Sequence, residues 1–147
     1  HRRPRTFTFG SGKTMNKLIL GVDPGRSKTG VALTDSAGQL LRLDVLLMDD
    51  FEEGLRDFLQ DVVVSLCLIG DGTTTASMQQ TLKELLAPHE LLVVPEANST
   101  QEARKLYWQM HPPQGWRRLL PLGLQTPPVN LDGYAAFILI KRYLARG

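Results

Sequence analysis

The sequence predicts an α/β protein whose five-stranded mixed sheet carries helices on both faces. Three observations predict it: three strand patterns in a row near the start, two later strands separated by helical patterns, and two helical patterns at the end. Strands joined by short turns pair antiparallel, whereas strands joined through a helix become parallel neighbours by a right-handed crossover. Three antiparallel strands are therefore expected to be followed by two parallel ones.

The first three strands form a predicted antiparallel meander. Residues 17–22 are apolar and partly β-branched, and Pro24-Gly25 ends this strand directly after Asp23. Residues 31–34 form the return strand, and residues 40–48 form the third strand.

Helices and strands alternate along the rest of the chain. The expected elements are a helix from Asp49, a strand over 63–69, a helix capped at 73–75, a strand over 91–94, a helix opened by a capping box at Ser99–Glu102, and a last helix over 130–145. The resulting order, β-β-β-α-β-α-β-α-α, predicts an RNase H-like arrangement.

Length and composition exclude several classes of protein. A chain of 147 residues with 42% apolar residues can bury one core, and it has no apolar run long enough for a membrane span. Cys67 is the only cysteine, which excludes an internal disulfide and a cysteine-cluster zinc site, so a cytoplasmic location is expected. Residues 1–14 carry four basic and no acidic residues and are interpreted as a cloning-derived leader before a single domain over 15–147.

Charge is distributed unevenly along the chain. Residues 15–103 hold 6 basic and 14 acidic residues, whereas residues 104–147 hold 7 basic and 1 acidic residue. A basic final third beside an acidic body indicates an electropositive face suited to phosphate groups.

Three blocks of sequence carry a family resemblance: GVDPGRSKTGVALTD at 21–35, VVPEANSTQEA at 93–103 and NLDGYAAFILIKRYL at 130–144. They resemble, in this order, the signature blocks of the YqgF/RuvX family, within the RuvC-like branch of RNase H-fold nucleases. The resemblance implies a metal-dependent nuclease of branched DNA or ribosomal RNA precursors, with Asp23, Glu96 and Asp132 as its catalytic acids.

The residue types agree with that chemistry. Phosphodiester hydrolysis needs an activated water and neutralisation of charge on the leaving oxygen, which two Mg²⁺ or Mn²⁺ ions can supply. These cations prefer oxygen ligands, which the three acids implied by the resemblance, Asp23, Glu96 and Asp132, would provide as metal ligands. Ala135 and Ala136 are small and share a helix face with Asp132, which would let that helix lie close to the sheet.

Asp71 is an alternative metal ligand. It ends the fourth predicted strand, which lies beside the first, whereas Glu96 follows the fifth strand and starts about twice as far from Asp23. Asp71 is thus a candidate for the nearer ligand, and the alternative is a turn residue between two glycines; which of Asp71 and Glu96 lies closer is left open.

Two departures from the family pattern concern activity. The family commonly has an arginine directly after its glutamate, where this chain has Ala97, and the loop after the fourth strand is GDGTTT without the expected proline. A second hypothesis is therefore an RNase H-fold module that binds structured nucleic acid, or a protein partner, without cleaving it.

Basic residues near the predicted site are candidates for nucleic-acid contacts through phosphate groups. They are Arg26, Lys28, Arg104, Lys105, Arg117, Arg118, Lys141 and Arg142. Tyr107, Trp108 and Trp116 can stack on an unpaired base, but the helical spacing of Tyr107 and Trp108 favours a role in the core. A four-way junction has two-fold character, so a junction resolvase would be expected as a homodimer.

Overall fold

The structure, a computed structural model, describes residues 5–6, 17–72, 75–88, 90–113, 119 and 130–146. Its strands are β1 (Arg5–Thr6), β2 (Leu18–Asp23), β3 (Lys28–Asp35), β4 (Leu40–Leu47), β5 (Leu66–Gly70) and β6 (Glu90–Val94). A 3-10 turn (Met48–Asp50) precedes the helices α1 (Phe51–Leu59), α2 (Thr75–Leu86), α3 (Ser99–Met110) and α4 (Asp132–Ala145).

The sheet has the strand order β1-β4-β3-β2-β5-β6. Strands β2, β3 and β4 form an antiparallel meander, and β5 and β6 are parallel to β2. The predicted five-stranded mixed sheet is thereby confirmed. The sheet is extended by β1, which pairs antiparallel with β4. This pairing was not expected, because residues 1–14 were interpreted as a leader separate from the domain.

Helices cover both faces of the sheet, as the sequence predicts. Helices α1 and α2 pack over one cluster of buried apolar side chains, and α3 and α4 pack over the other. Because both faces are covered, the central strands are apolar on both sides, and Leu20 and Val22 are completely buried opposite Ile19. None of the helices within the described ranges is long and apolar enough to cross a membrane.

Helix α4 is the element that matters most for the candidate site. Its residues 133–140 are all buried, since the helix lies between the sheet and α3. The capping box predicted for α3 is wrong: Asn98 is the N-cap residue, Ser99 is already helical, and Glu102 makes a contact with α4 instead.

Candidate functional site

Asp23 ends strand β2 and lies on the face covered by α4. Successive side chains of a strand point to opposite faces, so Asp23 shares its face with Gly21 and with Ile19, which lies in the core beneath α3 and α4. Directly across the ladder from Asp23 lies Gly30 of β3. The turn between them passes through Gly25, where a Cβ would overlap the carbonyl three residues on. The predicted position of Asp23 at the end of its strand is confirmed.

Helix α4 brings Asp132 to the same place because its first turns lie very close to the sheet. A Cβ on Gly30 would overlap the carbonyl of Asp132, and a Cβ on Gly21 would lie 2.5 Å from the carbonyl oxygen of Ala136. Only glycine fits at these two strand positions without movement of the helix backbone. Since Gly30 is the ladder partner of Asp23, the start of α4 lies beside Asp23.

Small residues on α4 itself complete this close approach. Ala135 and Ala136 are buried, as the sequence predicts for the helix face next to the sheet. A Cβ on Gly133 would lie 2.9 Å from the carbonyl oxygen of Asp44. The side chain of Asn130 holds the start of the helix, because its Oδ1 accepts the backbone N–H of Asp132 at 2.9 Å. Asp132 is therefore positioned mainly by backbone contacts.

Glu96 follows β6, two strands away from Asp23, and its side chain nevertheless forms a hydrogen bond with the Asp23 side chain. The intervening strand β5 ends at Gly70, and Gly72 follows two residues later; these two glycines leave room for this contact. A Cβ on Gly70 would lie 3.1 Å from Glu96 Oε2, and a Cβ on Gly72 would overlap Glu96 Oε1. The glycines explain how Glu96 reaches Asp23 across a neighbouring strand.

Asp71 lies between these glycines and anchors the loop that carries Glu96. Its Oδ1 accepts the backbone N–H of Glu96 at 3.2 Å, and the Glu96 carbonyl accepts the N–H of Ser99 at 3.0 Å. Strand spacing favoured Asp71 as the nearer partner of Asp23, but the hydrogen bond to Asp23 comes from Glu96. A role for Asp71 as a metal ligand stays a prediction.

The electrostatics of Asp23 reflect the neighbouring acids. The pKa of Asp23 is raised to about 8, mainly by burial, and also by the hydrogen bond with Glu96 and the negative charges of Glu96 and Asp132. A hydrogen bond between two carboxyl groups requires a proton. Near pH 7, the Asp23 carboxyl group therefore keeps its proton.

Asp132 experiences opposing influences. Burial raises its pKa above the ordinary value, while the positive charge of Lys28 and a hydrogen bond with Asn130 act to lower it. Lys28 is exposed at the start of β3, so a cationic group stands at the rim of the acidic site.

The three acids offer the type of ligand atom that a hard cation prefers. Asp23, Glu96 and Asp132 present only oxygen atoms, and a cation would take the place of the proton on Asp23 and reduce the repulsion among them. Among the described residues, however, no group of three Asp, Glu, His or Cys side chains is close enough together to hold a metal ion. Cation binding therefore requires the three carboxylates to come closer than they lie here.

The predicted nucleic-acid contacts are found in different places. Of the predicted contacts, five are exposed: Arg26, Lys28, Arg104, Lys105 and Lys141. Arg117, Arg118 and Trp116 lie outside the described residues. Tyr107 and Trp108 are buried, which confirms that they pack in the core.

Arg142 has a role that the sequence did not suggest. Its Nη1 donates to the carbonyl of Pro95 at 2.9 Å, and its Nη2 donates to the carbonyl of Ala97 at 2.5 Å and to the Glu102 carboxylate. Arg142 thus binds the loop on both sides of Glu96, and its contact with nucleic acid stays a prediction. No local pattern could have indicated this, because the partners are 40 to 47 residues apart in the chain.

Comparisons with known proteins identify the fold. No model of a known protein family matches the sequence, and no similar sequence was found among curated proteins. Among solved structures, the chain is similar to T. thermophilus RuvC in complex with a Holliday junction substrate, at 13% identity and a TM-score of 0.55. The similarity covers 89% of this chain and 96% of that chain. The protein thus has the RNase H-like fold of RuvC, and the narrower resemblance to YqgF/RuvX stays a prediction.

Proposed function

We propose that this protein is a metal-dependent endonuclease that hydrolyses phosphodiester bonds in structured nucleic acid. The observation that carries the proposal is the hydrogen-bonded pair of carboxyl groups on Asp23 and Glu96, with Asp132 close enough to raise the pKa of Asp23. Carboxyl groups are brought together in this way, at a cost in repulsion, where a cation or a proton has to be held. The RuvC fold adds support, because the similar structure contains a Holliday junction substrate.

In this proposal, Asp23, Glu96 and Asp132 hold Mg²⁺ or Mn²⁺ through oxygen ligands. The bound cation would polarise the phosphate and lower the pKa of the attacking water. The N–H groups in the first turn of α4 favour the ionised form of Asp132. Lys28, whose charge acts on Asp132, and Arg26, which follows Asp23 in the same turn, are exposed and suited to bind backbone phosphate groups, which carry no sequence information.

Cleavage of labelled substrates tests this proposal. The purified protein is incubated with a four-way DNA junction and, separately, with a ribosomal RNA precursor, each with Mg²⁺, with Mn²⁺ or with a chelator. We expect metal-dependent cleavage that is reduced at least about 100-fold by Asp23→Asn, because the variant removes one carboxylate from the site. Glu53→Gln is the matched control, since Glu53 is an exposed acid on α1, over the other face of the sheet.

The outcome also separates the two substrate classes. Cleavage of only one substrate identifies its class, and a dimeric protein that cuts the junction symmetrically would support a two-fold resolvase. Equal cleavage by the wild type and Asp23→Asn would show a contaminating nuclease and overturn the proposal.

A second candidate function is a module that binds nucleic acid or a protein partner without cleaving it. One observation favours it: no three potential metal ligands among the described residues are close enough together to share an ion. Binding of the junction or the RNA without cleavage in either metal, unaltered by Asp23→Asn, would support this alternative.

A further inference from the structure

The loop that carries Glu96 is held by a cationic side chain from a different element. Residues 95–98 follow β6 without belonging to a strand or helix, so no ladder of backbone hydrogen bonds fixes them. The two carbonyl groups that flank Glu96, those of Pro95 and Ala97, both accept hydrogen bonds from the guanidinium of Arg142. Arg142 is fixed in turn by its contact with Glu102 on α3.

We infer that Arg142 is a positioning residue, whose guanidinium holds the loop so that the Glu96 carboxylate faces Asp23. The inference rests on the proposed function in one respect: Glu96 is taken to act at the site. Because Arg142 bonds the carbonyls on both sides of Glu96, rotation of the backbone at Glu96 would break at least one of these bonds. The direction of the Glu96 side chain is thereby restricted.

The chemistry of arginine suits this task. A guanidinium is planar and presents several N–H donors in a fixed fork, so it can bind two carbonyls and a carboxylate at once. A lysine at the same position has a single ammonium group on a flexible chain and holds such a set less rigidly. The contact with the negative Glu102 also compensates the arginine charge, and the Arg142 side chain is only 25% exposed.

Arg142 also couples the two halves of the site. Asp132 and Arg142 lie on the same helix, ten residues and about 15 Å apart along its axis. The first turn of α4 places Asp132 beside Asp23, and the last turn holds the loop of Glu96. One helix therefore sets the positions of two acids that come from separate parts of the chain.

Amide hydrogen exchange tests the positioning role without reference to catalysis. The reporters are the backbone N–H of Glu96, which donates to Asp71 Oδ1, and the backbone N–H of Ser99, which donates to the Glu96 carbonyl. We expect Arg142→Met to speed exchange of both amides at least about tenfold, because the loop loses its anchor. Arg146→Met is the matched control, since it removes an equal charge from the exposed end of the same helix, and it should leave both amides unchanged.

Steady-state kinetics separate positioning from contact with nucleic acid. If Arg142 positions Glu96, Arg142→Met lowers kcat about 10- to 100-fold with little change in KM, and Arg142→Lys restores part of kcat. If Arg142 instead binds phosphate groups, KM rises, kcat is retained, and the salt dependence of binding decreases. That second pattern, with unchanged amide exchange, would overturn the inference.

If Arg142→Met does not fold, as shown by its thermal unfolding, the exchange measurement is made on Arg142→Lys and Glu102→Gln, and unchanged exchange in both contradicts the inference. If the wild type shows no metal-dependent cleavage, the proposed function fails, while the exchange of Glu96 and Ser99 still decides whether Arg142 holds the loop.

Discussion

The two acids that meet Asp23 are positioned by opposite means. Asp132 is positioned by packing of the α4 backbone on the β3 backbone. The two elements lie so close together that position 30 of β3 has room only for glycine. Glu96 is positioned by polar side chains, since Asp71 and Arg142 bind the loop around it. The first arrangement belongs to the core, and the second belongs to the surface.

Substitutions in the two regions should therefore have different effects on stability and on function. Backbone atoms packed between a helix and a sheet cannot move without disturbing the core, so changes there should reduce the free energy of unfolding. A loop held by a few side-chain hydrogen bonds can shift at little cost, so changes there should reduce function and spare stability.

The largest effect is expected on the Asp132 side, from Gly30→Ala. The added Cβ would overlap the carbonyl of Asp132, so α4 has to move away from the sheet. We expect the free energy of unfolding, measured in urea, to fall by about 3 kcal/mol or more.

The control is Gly54→Ala within helix α1. Its Cβ would lie 3.4 Å from the Leu46 side chain, which is ordinary contact, so the variant should gain about 0.5–1 kcal/mol from helix propensity. Equal stability losses for both glycines would contradict the difference between the two regions.

The next effect concerns Asp23, where the two regions meet. Its pKa of about 8 in the folded protein lies above the ordinary value of 3.8, so the unfolded chain releases this proton at lower pH than the folded protein. In metal-free buffer, this group's contribution to stability should be complete below about pH 4 and should be lost as the pH rises through about 8, at up to about 1.4 kcal/mol per pH unit.

Thermal unfolding of the wild type and Asp23→Asn across this range measures the effect. The wild type should lose stability with rising pH more steeply than the variant, which has no carboxyl group to ionise. Parallel curves for the two proteins would show that Asp23 has an ordinary pKa.

A smaller effect on stability and a clear effect on function are expected from Gly72→Ala. The added Cβ would overlap Glu96 Oε1, which is the end of a flexible side chain and can move aside. We expect a stability change within about 1 kcal/mol and a loss of cleavage of at least about tenfold, because the carboxylate is displaced. Full cleavage by a stable Gly72→Ala protein would show that this position of Glu96 is not needed.

The smallest effect is expected from Asp71→Asn, which keeps the Oδ1 acceptor for the N–H of Glu96. If Asp71 anchors the loop, Asn should retain metal affinity and cleavage within about threefold, whereas Asp71→Ala should lose more, because the N–H of Glu96 loses its partner. If Asp71 were a metal ligand, Asn would already weaken Mn²⁺ binding about tenfold or more, because it removes the negative charge of the ligand, and calorimetric titration distinguishes the two results.

The sequence predicts well the sheet and the places of Asp23 and Asp132 at the ends of their elements, because the signals for both lie in short stretches of the chain. The apolar run before Asp23, the Pro24-Gly25 break and the small residues after Asp132 each act through neighbours in the chain or through the periodicity of one element. The pattern of strands and helices then fixes which ends of the elements meet. These features can be recognised in the sequence without knowing which side chains from distant parts of the chain will be in contact.

The Glu96 side could be predicted only in part. Strand spacing alone places Asp71 nearer than Glu96, and the room left by Gly70 and Gly72 reverses this expectation. Arg142 was predicted to contact nucleic acid because it belongs to the basic final third of the chain. Its contacts with the loop depend on how α3 and α4 pack, which no single stretch of sequence encodes.

Mn²⁺ binding measures most directly whether Asp23, Glu96 and Asp132 form one site. Calorimetric titration of the wild type is compared with Asp23→Asn, Glu96→Gln, Asp132→Asn and the control Glu53→Gln. We predict that the wild type and control bind Mn²⁺ alike, that binding releases protons and tightens as the pH rises, and that each of the other three variants weakens it at least about tenfold. Mn²⁺ binding that is unaffected by all three substitutions would contradict a shared cation site.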